Sequence, residues 1–280
     1  MRSGRRSRRC FHITSTRSSR SYSGTGSSCG ASRKGSSVTK TVSRWRSDRL
    51  HRDISLVRWG TFGQPVLLFP TAGGDAEEIE RMHVIRVLDP IISAGRIKVY
   101  SCDSVAGAAL ASKEGSVEHR CWILNQFHEY VAHEVVPAIR ADCRDGSIEV
   151  VAAGASIGAF NAVAVTCRYP HLFRTALGMS GTYDLEQLMG FQGNQDYYFS
   201  SPLSFLPGLE GPTLDMLQRR FIVLPVGQGR WEDPSESWRM AGVLGAKGVP
   251  NRVDPWAATY DHDWPTWREM LPLYLDDIVA

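Results

Sequence analysis

No stretch of this chain approaches the roughly 20 consecutive apolar residues of a membrane-spanning helix, and its start lacks the roughly 7 to 15-residue apolar core of a secretory signal. No two of its six cysteines (Cys10, Cys29, Cys102, Cys121, Cys143 and Cys167) form a CxxC pair, which argues against a zinc ribbon and against a disulfide framework. Four of them lie in apolar or helical stretches and read as buried thiols of a reducing, cytoplasmic compartment. His128 and Glu129 followed by His133 imitate a zincin helix, but a five-residue step puts the second histidine on another face of the helix. No metal site is expected.

Acid is absent from the first 47 residues, which carry ten Arg and two Lys; the rest of the chain then holds 20 basic and 29 acidic residues. A basic tail therefore precedes a mildly acidic domain. The tail is Ser-rich and almost free of aliphatic residues, so it cannot bury enough apolar surface to offset its ordering entropy. Residues 1–42 are expected to be disordered and 43–280 to form one domain. The tail reads as a dispensable leader, with an organellar transit peptide as the alternative. Phe11 and Tyr22 are its only aromatics before Trp45, and nothing resembles a folded nucleic-acid reader.

Short β-rich runs at 54–59, 65–69, 97–102, 148–153, 175–179, 221–226 and 252–256 alternate with helical patterns at 76–87, 122–141, 157–168 and 235–245. This alternation predicts an α/β fold with a mostly parallel central sheet and helices on both faces. Sites in such folds form at the carboxyl ends of the strands.

At one of those ends an apolar run enters Gly154-Ala155-Ser156-Ile157-Gly158, which opens directly into a helical pattern. A GxSxG at a strand-to-helix turn is the form of a nucleophile elbow, with the serine exposed above the sheet and the N–H of the next residue free to face an oxyanion. Gly26-Ser27-Ser28-Cys29-Gly30 has the same spacing but lies in the tail with no strand before it, so context selects Ser156. With such an elbow the acid and then the histidine follow the serine in the chain, and only His171 and His262 do so. His171 leaves no acid between itself and Ser156, so His262 is the expected general base.

The acid is expected at the end of the 221–226 strand, where Glu232 and Asp233 adjoin. Asp233-Pro234-Ser235-Glu236 reads as a helix start with Asp233 as N-cap, Pro234 at N1 and Glu236 reaching back in a capping box. That leaves Glu232 as the better acid and Asp233 as the alternative. Asp261 and Asp263, on the histidine's own loop, are expected to be solvated or to pair within it.

These motifs, with Phe69-Pro70-Thr71-Ala72-Gly73-Gly74, Gly227-Gln228-Gly229-Arg230-Trp231-Glu232-Asp233 and His262-Asp263-Trp264-Pro265-Thr266-Trp267, resemble the putative-esterase family of the α/β-hydrolases over roughly Thr41 to the C-terminus. That family includes esterase D type formylglutathione hydrolases, feruloyl esterases, actinobacterial mycolyltransferases and proteins labelled polyhydroxybutyrate depolymerase. The resemblance implies an α/β-hydrolase with a short cap-like insertion after the sixth strand of the fold, and a small-molecule ester substrate handled without cofactor or metal. Acyl transfer to an alcohol and a non-catalytic binding role stand as alternatives. The oxyanion donors expected are the N–H groups of Ile157 and Ala72, with Gly73 next. Aromatics between 181 and 220 could bind an acyl or aryl group or form the cap's own core; both readings stay open.

Overall fold

The seven β-rich runs, joined by one further strand, β1, form one sheet: β1 (Lys40–Ser47), β2 (Arg52–Trp59), β3 (Gln64–Phe69), β4 (Ile97–Cys102), β5 (Val150–Ala155), β6 (Phe173–Met179), β7 (Phe221–Val226) and β8 (Asn251–Pro255). The computed structural model describes residues 38–189 and 194–280, with the backbone alone at 187 and 188. Residues 1–37, which hold most of the expected tail and the second pentapeptide, fall outside the described residues, as does Phe191. The strand order is β1-β2-β4-β3-β5-β6-β7-β8, with only β2 running against the others. Buried over its whole length, β5 sits mid-sheet because Val150-Val151-Ala152-Ala153 has no polar side chain to solvate.

The helices are α1 (Glu78–Arg81), α2 (Val84–Ser93), α3 (Val105–Ala111), α4 (Val117–Tyr130), α5 (Val136–Cys143), α6 (Ile157–Arg168), α7 (Leu185–Met189), α8 (Gln195–Ser200), α9 (Pro202–Phe205), α10 (Gly211–Leu217), α11 (Pro234–Ala246) and α12 (Trp264–Ile278). Alternate residues of each strand face opposite ways, so two cores form. Leu67, Phe69, Cys102 and Ala152 pack against α3 to α6 and α11. Val66, Leu68, Val151 and Ala153 pack against α1, α2 and α12.

Four local expectations are corrected. Lys40, Thr41 and Val42, assigned to the tail, belong to β1, where they pair with Trp59, Arg58 and Val57. This edge strand is polar and mostly exposed, so it has no hydrophobic alternation to announce it. Its Trp45 Nε1 and Ser47 Oγ both donate to Glu134, at 2.8 and 2.9 Å.

The helix expected at 76–87 is broken at His83, which is left-handed (φ 62°), and α2 then runs on past Pro90. Burial of Val84, Ile85, Leu88, Ile91 and Ile92, at about 1.5–3 kcal/mol per large side chain, outweighs the loss of about 3 kcal/mol from one internal proline. The 122–141 helix is interrupted by a π-turn, Val131–Val135, just before Pro137, which has no N–H for the regular ladder. Finally, α12 was not anticipated. Its buried face (Trp267, Met270, Leu271, Tyr274, Leu275) has helical spacing, but Pro265 and Pro272 disguise it.

The insertion after β6 holds α7 to α10. Tyr183, Tyr197 and Phe205 are buried in it, whereas Tyr198 and Phe199 are exposed.

Candidate active site

Ser156 stands between β5 and α6 with φ 57° and ψ −122°, a backbone conformation that costs a non-glycine residue about 1–3 kcal/mol. The turn closes because two glycines leave room. A Cβ on Gly154 would overlap the carbonyl group of Gly158, and one on Gly158 would lie 2.6 Å from the Phe69 oxygen and 2.7 Å from that of Pro70. Helix α6 is buried from Ile157 to Cys167, so the elbow is anchored on every side. The Ser156 N–H is used by Met179 O of β6 at 3.0 Å. Ile157 N–H is the first of the helix and has no intrahelical acceptor.

The turn after β3 is gripped by a residue that sequence reasoning passed over. Buried Glu78 accepts from Thr71 N–H and Thr71 Oγ, both at 2.7 Å, and Gly74 N–H donates to Thr71 O at 3.1 Å. Among the described residues this leaves the N–H groups of Ala72 and Gly73 without an internal acceptor. Ala72 faces a cavity of about 420 Å3 together with Ser156, Ile157 and Thr182, while Gly73 is exposed and outside its lining. No local pattern marks Glu78, since its partner lies seven residues back across a turn.

At the far side of Thr182 a second cavity, about 280 Å3, is bounded by His262 and Glu232. His262 Nδ1 lies 3.3 Å from Glu232 Oε2, and the Glu232 carboxylate is only 1% exposed. Its other oxygen, Oε1, accepts from Ser180 Oγ at 2.6 Å, and Ser180 Oγ in turn accepts from Trp267 Nε1 at 3.1 Å. Trp267 also presents its ring edgewise to His262, centroids 5.1 Å apart. Ser180 and Trp267 thus hold the acid and the imidazole in place, and only the fold brings β6, β7 and α12 together to do it.

The loops carrying Glu232 and His262 are joined: Gly229 N–H donates to Tyr260 O (2.9 Å) and His262 N–H to Arg230 O (3.0 Å). Asp261 accepts from Arg230 N–H, Nε and Nη2 at 2.7 to 3.0 Å, and Asp263 caps α12 through Trp264 N–H at 2.7 Å. His171 precedes β6 and so lies at the opposite end of the parallel sheet from Ser156. Among the described residues no hydrogen bond joins Ser156 Oγ to His262; the two line adjoining cavities.

Asp233 caps α11, accepting from Ser235 N–H at 3.0 Å and Ser235 Oγ at 2.5 Å. The expected capping box does not close. Glu236 Oε2 instead accepts from Tyr183 and Asp184 N–H at 2.6 and 2.7 Å, because those donors at the root of the insertion have no ladder partner. Asp233→Ala is therefore expected to lower stability by about 1 kcal/mol, read as a shift in the denaturant midpoint, with only a minor loss of activity.

His128 is fully buried, 3.1 Å from Asn161 Oδ1, and burial, with Arg168 nearby, pushes its pKa down to about 3. Glu129 turns away to Arg168, Tyr169 and His133, so the three side chains do not converge.

A family profile described as "Putative esterase" matches residues 80–277. No curated sequence matches. Among solved structures, a ferulic acid esterase superposes with a TM-score of 0.67 at 13% identity, over 87% of this chain and 98% of that one. The S-formylglutathione hydrolase of Agrobacterium tumefaciens gives 0.65 at 12% identity, over 86% and 94%. The enterobactin esterase of Shigella flexneri gives 0.61 at 18% identity, over 86% and 58%. Identities this low speak to the fold, and the profile supplies the rest: with a match across most of the chain on this sheet order, the protein belongs to the putative-esterase family of the α/β-hydrolases.

Proposed function

We propose that the protein is a serine esterase that hydrolyses a small carboxylic ester through Ser156, His262 and Glu232. The observation that carries this reading is the Ser156 backbone, held at positive φ on a buried strand-to-helix junction where a glycine would be unstrained. His262 takes the proton of Ser156 Oγ as the oxygen attacks the ester carbonyl, and Glu232, on Nδ1, fixes the tautomer and stabilises the imidazolium. The serine-to-histidine contact is commonly long in a free enzyme and tightens when substrate is bound. The N–H groups of Ile157 and Ala72 receive the oxyanion. His262 then protonates the leaving alcohol and activates the water that releases the acid.

The test is a screen of p-nitrophenyl esters of increasing acyl length, with feruloyl and hydroxybutyrate esters, alongside labelling by a fluorophosphonate. Ester turnover with one label per chain is expected. An unlabelled protein without turnover would overturn the reading. Added alcohol that diverts the acyl group into a new ester would favour transfer over hydrolysis.

A further inference from the structure

The cavity in front of Ser156 carries charge of one sign. Beyond the serine its wall is apolar at Leu110 and Met189, and among the described residues the charged ones that line it are Lys113 and Arg120. Neither forms an ion pair among the described residues. Arg120 Nη1 is held instead by the carbonyl oxygen of Gly115 at 2.8 Å, which orients the guanidinium without neutralising it. Glu118, exposed near Arg120, does not line the cavity.

The adjoining cavity is the opposite case. Its carboxylates are engaged: Glu232 with His262 and Ser180, Asp233 with Ser235, Glu236 with two backbone N–H groups, and Asp184 with Arg239.

Lys113 ends α3 in a left-handed conformation. Its N–H donates to Leu110 O and the N–H of Glu114 to Ala109 O, the two crossed bonds of a Schellman motif that ends α3. The residue at the left-handed position of that motif is most often glycine, and here it is Lys113 with φ 53°. Arg144 ends α5 in the same left-handed conformation, so the backbone alone does not single out Lys113; its place beside the serine cavity does.

Resting on the esterase reading, we infer that the substrate is an ester whose acyl chain ends in a carboxylate, the half-ester of a dicarboxylic acid. The leaving alcohol must receive its proton from His262, so it departs through the cavity that His262 lines. The acyl chain extends the other way, past Leu110 and Met189, and its far carboxylate meets Lys113 and Arg120.

The experiment compares kcat/KM of the full chain for monomethyl adipate and for methyl hexanoate, which share an acyl length and differ in the terminal charge. A preference of about tenfold for the half-ester is expected, the worth of one or two partly screened charged hydrogen bonds, and it should shrink as ionic strength rises. In the Lys113→Gln/Arg120→Gln double variant the ratio should fall to near one; being a ratio, it is insensitive to the amount of folded enzyme. Lys113→Gly relieves the left-handed backbone, so it should melt no lower than the parent while still losing part of the preference. Should turnover be slow, protection of Ser156 from fluorophosphonate by each ester gives the same comparison. Equal use of both esters, or a preference that survives the double variant, overturns this inference and leaves the esterase reading standing. Absence of turnover together with absence of labelling overturns both.

Discussion

Ser156→Ala should lose ester hydrolysis and fluorophosphonate labelling together, with a fall in kcat on the order of 10^4 to 10^6-fold. The loss is expected to be chemical, because among the described residues the Ser156 side chain makes no hydrogen bond that holds the elbow; its backbone does that through Met179 and the first turn of α6. Ser156→Gly should be equally inactive yet more thermostable, by about 1 kcal/mol or more, since φ 57° no longer carries a Cβ. Calorimetry beside the activity assay separates the two effects. Ser28→Ala, in the other pentapeptide, should leave rate and labelling intact. Substantial labelling of the Ser156→Ala protein would remove the nucleophile from the scheme.

Glu232→Gln should lower kcat by roughly 10^2 to 10^4-fold while Tm moves little. The amide preserves the shape of the side chain, and its oxygen can still accept from Ser180 Oγ, which in turn accepts from Trp267 Nε1. It cannot stabilise a positively charged imidazolium at 3.3 Å, and it leaves His262 free to adopt the wrong tautomer. Asp233→Ala supplies the contrast, since its carboxylate is used by Ser235 at the start of α11 and should affect stability before rate. If Asp233 controlled the rate and Glu232 only the stability, the acid would have to be reassigned.

Local chemistry made much of this legible. The step from an apolar run to GxSxG and into a helix is written in adjacent residues, and both the β5 to α6 junction and the bounds of α6 follow from it. The same holds for the Asp233 cap, which needs only Ser235 two residues on. Glu236 shows where that reasoning ends. Its spacing suits a capping box, but its carboxylate is drawn to two N–H groups more than 50 residues earlier in the chain. Strand β1 shows the same limit, because a polar edge takes its conformation from the backbone of β2 and from Glu134 and not from its own side chains.

The sequence by itself determined the alternation of strands and helices, the elbow and its serine, and the histidine that follows the last strand, since each rests on steric or polar rules acting over a few residues. Only the tertiary structure decided that Ser180 and Trp267 brace the carboxylate at His262, that Glu78 clamps the turn beside Ser156, and that Lys113 and Arg120 border the serine cavity. Apart from the Glu78 clamp, which reaches back seven residues across a turn, those contacts join segments that are remote in the chain. They exist because the crossed strand order of the sheet gathers its carboxyl ends at one edge, where buried charge and unpaired N–H groups must find partners in each other.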